Sequence, residues 1–347
     1  MAHFQKYIKG ILVAVALATT SVFVSDAMPS HLIGPGVFAL LIGMLLNPMI
    51  TKYDVFQQGI GFTSKRILRL AIILMGISLS FSQVLEVGKF SLIVMVFTLF
   101  TAFGGGYLVG KILKMDWKLS GLISAGTGIC GGSAIAAVAP VIDADDSSVA
   151  YAISATFIFD VLMVVLFPIM GRYFNMTDIG FGLWTGTAVN DTSSVVAAGY
   201  AFSDIAGNYS VIVKLTRTLS IVPVVLIFSF INGYLMRKES KATSNGSDTI
   251  ALHQGKKIDL GKIFPWFILL FLVMVGIKST GLISESLSHS ISSVSKFLMV
   301  MSLGAIGLKT NFSKLAQSGL TPMLHGFTIS TLVVVVSFSV QKIMGHL

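Results

Sequence analysis

The chain has 347 residues, of which 54% are hydrophobic and only 11% charged, with a formal net charge of +9. Soluble domains carry about 25% charged residues, and a mean hydropathy of +0.87 lies far from their range, so a water-soluble core is excluded and the bilayer is the solvent. A single cysteine, Cys130, excludes an intrachain disulfide, no His-Glu-x-x-His zinc spacing occurs, and neither a metal nor a cofactor is expected.

Apolar runs of spanning length fall in chain order at 7–25, 32–50, 66–83, 90–111, 119–142, 148–170, 179–201, 209–235, 263–280, 291–309 and 321–341. This predicts an all-α polytopic membrane protein with about eleven transmembrane helices. In the first run, Lys6 and Lys9 precede Ile11–Val24, a pattern shared with cleavable signal peptides. With its flanks the run is nearer spanning length, so it is read as a retained helix. Residues 236–262 form a polar stretch read as a flexible linker. The chain is then one integral membrane domain, 1–347, with eight helices in 1–235, the linker, and three helices in 263–347.

Basic residues set the orientation through the positive-inside rule. With the N-terminus in the cytoplasm, 18 of the 24 Lys and Arg lie at cytoplasmic ends. Lys89, Lys278 and Lys342 lie at outer ends, and Lys214, Arg217 and Lys296 lie within spans. Asp143, Asp145 and Asp146 fall in an outer loop in this arrangement. The basic excess is therefore a topological signal and gives no reason to expect nucleic acid. The sequence Gly105-Gly-Tyr-Leu-Val-Gly-Lys-Ile112 mimics a phosphate-binding loop, but Ile112 replaces the required Ser or Thr and the segment lies inside a span.

Two segments break the apolar pattern in mid-span. Gly126-Thr127-Gly128-Ile129-Cys130-Gly131-Gly132 has four glycines in seven residues, each costing about 1 kcal/mol in a helix. A broken helix there exposes backbone groups that are tolerated only against protein or a water-filled site. Ser133 is placed to cap a new half-helix, Ala134 to Ala139, ending at Pro140. Half-helix N-termini at that depth attract anions. The alternative is close helix packing through small residues, which is also the simpler account of a lone Cys130. The second segment, Asn190-Asp191-Thr192-Ser193-Ser194, puts five polar residues in mid-span, with Asp191 placed to cap the half-helix that follows or to carry a coupling ion. A buried polar network between helices is its alternative.

Asp160 is a lone mid-span acid, and Lys214 and Arg217, three residues apart, share a helix face. Two acids and two bases at one depth either mark a pathway or neutralise one another. Lys214 and Arg217 are expected to face the interior within reach of Asp160 or Asp191.

Two internal similarities stand out. Residues 76–88 resemble 305–319 across a two-residue gap, on spans of opposite direction, as in inverted-repeat transporters. Residues 126–139 (GTGICGGSAIAAVA) align without gaps to 186–199 (GTAVNDTSSVVAAG). The eleven-span topology makes these two spans parallel, so either one is re-entrant or the similarity is local convergence.

At 126–160, at LWTGTAVNDTSSVVAAGYAF and at VIVKLTRTLSIVP, the chain resembles the YeiH-type sulfate exporter family, with a diffuse resemblance over about 30–345. The resemblance implies a bacterial inner-membrane protein related to the cation–proton antiporter and bile-acid symporter superfamily. Such folds have a core domain in which two discontinuous helices cross, beside a flatter panel domain.

Together these lines predict a secondary transporter with an inverted-repeat fold that exports a small inorganic oxyanion, such as sulfate or sulfite, by ion-coupled alternating access. Thr127, Gly128, Cys130, Gly131, Gly132, Ser133, Asn190, Thr192, Ser193, Ser194, Lys214 and Arg217 would form the substrate site, and Asp160 and Asp191 would carry the coupling proton or Na+. A cation/proton antiporter is the second reading and a membrane-embedded enzyme the third. Expected partners are the bilayer, the anion, the coupling ion and a second copy of the chain in a homodimer.

Overall fold

The computed structural model describes residues 2–27, 34–243, 264–310 and 319–345, with side chains from residue 6 onward and excluding those of 237–243. All regular structure among the described residues is helical. Two bodies share one apolar interface.

The first body, the panel, contains α1 (Ala2–Asp26), α2 (Pro35–Ile50), α3 (54–75), α12 (Phe267–Ser279) and α13 (Glu285–Lys309). Here α2 and α13 pack backbone to backbone: a Cβ at Gly307 would lie 2.1 Å from the Leu40 carbonyl oxygen. Small residues allow this approach where lipid supplies no hydrophobic drive between helices. Asn47 Nδ2 donates to the Leu308 carbonyl at 2.7 Å and fixes the register. The first apolar run forms α1, packed on α2, α3 and α13. α3 begins at Asp54, twelve residues before its expected start, because a widened turn at Thr63–Ile67 lets one helix continue past Lys65 and Arg66.

The second body, the core, contains α4 (Phe81–Ile112), α5 (Trp117–Ala125), α6 (Gly132–Val138), α7 (Asp146–Tyr173), α8 (Asp178–Ala188), α9 (Thr192–Phe202), α10 (Asp204–Thr218), α11 (Ile221–Thr243) and α14 (Leu320–Ile343). The 76–88/305–319 similarity rests partly on 311–318, outside the described residues, and most of the expected linker, 244–262, also lies outside them.

All eleven expected segments contain helix, but two of them, 117–141 and 178–202, fold back on themselves. A straight helix would separate Lys118 from Asp143 by roughly 37 Å, at about 1.5 Å per residue. Instead, Lys118 Nζ donates to the Asp143 carbonyl at 3.0 Å. Likewise Ser203 Oγ donates to Asp178 Oδ1 at 2.6 Å, and the rings of Phe181 and Phe202 stack at 4.1 Å. Each segment is therefore a re-entrant hairpin: α5 and α6 form hairpin 1, α8 and α9 form hairpin 2.

The hairpins enter from opposite ends. α10 and α11 run from the base of hairpin 2, where Gly182 abuts Tyr209, past both tips, to the base of hairpin 1, where Asn232 Nδ2 donates to Val141 O at 3.2 Å. Hairpin 1 opens at the end carrying Lys111, Lys114 and Lys118, and hairpin 2 at the opposite end. This corrects two placements: Asp143, Asp145 and Asp146 lie at the lysine end, and Arg172 lies at the opposite end, where it donates to the Ala201 carbonyl at 3.3 Å. The second inversion cancels the first, so the ends expected for α11 and the later helices are unchanged. It also resolves the question of the aligned pair: both segments are re-entrant, and their second arms run from mid-depth to opposite ends.

Candidate functional site

The tips meet in the middle of the core. In hairpin 1, the widened turn Gly126–Cys130 ends α5, and Gly131 reverses the chain at φ +63°. That backbone suits glycine, and a Cβ there would lie 3.2 Å from Asp191 Oδ1. α6 then starts at Gly132 with Gly131 as its cap residue and no side-chain cap. The expected cap by Ser133 is therefore corrected: the hydroxyl lies two positions after the cap residue, inside the first turn, and is exposed. In hairpin 2, α8 ends at Ala188, the chain is extended through Val189, and Asp191 caps α9 by accepting from Ser193 N at 2.8 Å, as expected. The breaks expected at Gly126–Gly132 and Asn190–Thr192 are both present, and they touch.

Four ionic side chains join the tips. Lys214 Nζ donates to the carbonyls of Ile129 (2.7 Å) and Val189 (3.0 Å), one from each hairpin. Arg217 Nε donates to Gly128 O at 2.6 Å and its terminal nitrogens to Thr187 O at 2.6 Å and to Thr127 O. Asp160 accepts from the backbone N–H groups of Asn190 (2.8 Å) and Asp191 (3.0 Å). Each charge meets the helix end of opposite polarity: the bases face the C-terminal carbonyls of the incoming arms, and the acids face the N-terminus of α9. Lys214 and Arg217 are interior, at 0% and 1% exposure, but their hydrogen bonds go to carbonyls and not to the carboxylates. Turning the chain at mid-membrane leaves carbonyls without helical partners, and these outcompete the acids for the donors.

The other expected site residues divide by burial. Thr127, Cys130, Asn190, Ser193 and Ser194 are buried, as is Gly128. The Ser193 hydroxyl donates to Asp191 Oδ2. Asp191, Thr192 and Gly132 are partly exposed and Ser133 is exposed. These four are the tip residues that are not buried.

The sequence reading missed the contribution of α14. Ser330 Oγ accepts from Asn190 Nδ2 at 3.1 Å and lies 3.4 Å from Thr127 Oγ1, so it touches both tips. Ser337 Oγ lies 2.5 Å from Thr187 Oγ1, and Gln341 Nε2 donates to Ser337 Oγ at 3.1 Å. His325 Nε2 lies 3.0 Å from both Ser120 Oγ and the Gly106 carbonyl oxygen. The spacing of Ser330, Ser337 and Gln341 along one helix face was the available signal.

Comparison with known proteins agrees with an integral membrane protein. A "UPF0324 membrane protein" from Clostridium tetani is 72% identical over 346 residues, covering 100% of both chains. UPF0324 membrane protein SAG1125 from Streptococcus agalactiae is 38% identical and FN0533 from Fusobacterium nucleatum 37% identical, with 97% or more of each chain covered. None of these names states a substrate. Among solved structures, the sodium proton antiporter MjNhaP1 from Methanocaldococcus jannaschii aligns over 100% of this chain and 98% of that one, at a TM-score of 0.30 and 13% identity. That level of similarity settles neither fold nor cargo. The sequence profile described as conserved hypothetical protein 698 matches residues 9–326, and the whole-length relatives agree: the chain belongs to this membrane-protein family.

Proposed function

We propose that this protein is a secondary transporter of a bacterial inner membrane that moves a small inorganic oxyanion, of the sulfate or sulfite class, by ion-coupled alternating access. The observation that carries the proposal is the tip-to-tip meeting of two opposed re-entrant hairpins around matched charges. Irregular backbone at mid-depth, tied down by buried ions, belongs to sites that handle a solute. The aligned halves of the hairpins support an inverted repeat.

The charges suggest how coupling works. With both acids and both bases ionised, the four side chains sum to no net charge, and only the N-terminus of α6 lacks a side-chain cap. An arriving anion adds an uncompensated charge unless a cation arrives with it. Asp191 is the half-exposed carboxylate at the tips, so it is assigned as the acceptor of the coupling proton or Na+. Gly132, Ser133 and Thr192 offer N–H and hydroxyl donors beside it for the anion, and Lys214 and Arg217 hold the two tips together.

The lysine end is placed in the cytoplasm by the basic-residue bias. Moving Arg172 to the other side changes the split from 18 to 3 into 17 to 4, which preserves the bias. The exposed face of the second arm of hairpin 1, with Ser133 and Ala136 on α6 and Pro140 just beyond it, is then read as opening inward. Proteoliposomes loaded with radiolabelled sulfate or sulfite should release it under an imposed pH or Na+ gradient, and Asp191→Asn should stop the coupled flux.

One observation favours a cation/proton antiporter as the second reading. The N-terminus of α9 already carries two carboxylates, and most donors of the basic pair are committed to carbonyls. Na+/H+ exchange with no flux of sulfate or sulfite in the same proteoliposomes would replace the first reading by this one.

A further inference from the structure

We infer that Asp204 and Lys296 form a latch that holds the hairpin 2 end of the panel–core interface shut. The latch rests on the alternating-access reading above, and its geometry is independent of cargo. Lys296 Nζ lies 2.6 Å from Asp204 Oδ2. Lys296 belongs to panel helix α13. Asp204 opens core helix α10, directly after hairpin 2, at the corner where Ser203 caps Ala206 N and binds Asp178. The two partners therefore ride on different bodies.

Beneath the pair is a pocket between those bodies. Its lining includes Gly34 and Gly36 near the start of α2, Ala197 and Tyr200 on α9, and Met299 and Leu303 on α13. Below the pair the two bodies are in direct contact: a Cβ at Gly34 would lie 2.9 Å from Ala201 Cα. A solute reaching the tips from this end has to part α9 from α2 and α13, and that separation pulls Asp204 away from Lys296. On the second arm of hairpin 1, by contrast, Ser133, Ala136 and Pro140 are exposed among the described residues.

The strength of the pair suits a latch. The side chains of Lys296 and Asp204 are 39% and 66% exposed, and exposed ion pairs bias an equilibrium by a factor of about two to five. A bond of that size favours the closed state and still breaks in every cycle. A buried pair would hold one state too firmly.

The test reads accessibility, which needs no substrate. Ala197 is 2% exposed on the covered face of α9, and Ala197→Cys places a thiol there, with native Cys130 buried. In proteoliposomes or cells, a membrane-impermeant maleimide added from the hairpin 2 side should label this introduced thiol about two to five times faster when Lys296→Gln or Asp204→Asn is added than in the parent. The exchanged pair Asp204→Lys with Lys296→Asp should return the rate to the parent value, which separates a latch from general loosening. Unchanged labelling in both single variants overturns the latch. Faster labelling without recovery in the exchange also overturns it, because the effect is then loss of packing. If labelling behaves as expected but no anion or cation flux is found, the latch stands and the transport reading fails.

Discussion

The two hairpins are built on one pattern, sharing Gly126/Gly186, Thr127/Thr187, Ser133/Ser193 and Ala137/Ala197, and differ at the other aligned positions. Aligned without gaps, Gly131 meets Asp191, Gly132 meets Thr192, Ser133 meets Ser193, Ala136 meets Val196 and Pro140 meets Tyr200. Both second arms start at the same aligned position, Gly132 and Thr192. Hairpin 1 reverses on a glycine with positive φ and leaves its second arm uncapped. Hairpin 2 reverses on extended backbone and caps its second arm with Asp191, while Asp160 holds the N–H groups of the turn. The faces differ too: Val196 is buried in the cluster that includes α2 and α13, whereas Ala136 is exposed. Hairpin 2 packs on the panel and is capped by Asp191, whereas hairpin 1 packs within the core against α4, α7, α11 and α14 and its second arm has no side-chain cap.

The largest expected effect removes what both hairpins share. Arg217→Ala leaves the carbonyls of Thr127, Gly128 and Thr187 without their donor, at a cost of about 3–5 kcal/mol for an opened buried charge network. Thermal denaturation in detergent should show a large fall, with Arg217→Lys recovering part because it lacks the fork of donors. An unchanged melting temperature would mean that the guanidinium does not join the tips.

A smaller effect should separate the hairpins. Asp160→Ala removes the acceptor for two N–H groups of hairpin 2 alone, worth about 1–3 kcal/mol. Hydrogen exchange should rise over 189–194 and stay at the parental level over 126–133. Equal rises in both tips would show that they are one cooperative unit.

The reciprocal change belongs to hairpin 1. Gly131→Ala forces a side chain into a positive-φ turn facing Asp191, a strain of about 1–3 kcal/mol. Asp191→Gly at the matching position should cost only about 0.3 kcal/mol, because glycine is itself a fair N-cap residue. Denaturation midpoints that rank these two in reverse order would refute the contrast drawn between the turns.

The smallest effect is a pH dependence at the base of hairpin 1. Hydrogen bonds first from the Ser147 hydroxyl, then from the Ser148 hydroxyl and N–H, hold the Asp145 carboxyl below the usual carboxylate range. A depressed folded-state value contributes stability above the unfolded value, near about 3.9, and that contribution is lost as pH falls below it. Limited proteolysis near 142–148 should therefore increase only in strong acid. A rise already at pH 6 would point to another group.

Much of the site was legible because it consists of departures from a simple rule. In a chain this apolar, four glycines in seven residues, five polar residues in a row and three mid-span charges each need a reason. That reasoning found both tips, Asp160, Lys214 and Arg217. It missed Ser330, Ser337 and Gln341, because single serines in a membrane helix also satisfy themselves by bonding their own preceding turn. It also did not foresee the hydrogen-bond partners of the two bases, because counting acids against bases omits the carbonyls that a broken helix releases.

The sequence by itself determined that the chain lives in a bilayer, where its helices lie and where two of them break. Local composition and burial cost decide those matters within twenty residues. Only the tertiary structure decided that each broken segment returns to the end it came from. A hydropathy run of 25 residues has the same length whether it crosses once or folds back as two half-length arms. The contacts that choose between these, Lys118 with Asp143 and Ser203 with Asp178, join positions that a straight helix would hold a membrane thickness apart. The partners of Lys214 and Arg217 were decided in the same way, because the carbonyls they bind come within reach only once both hairpins have turned.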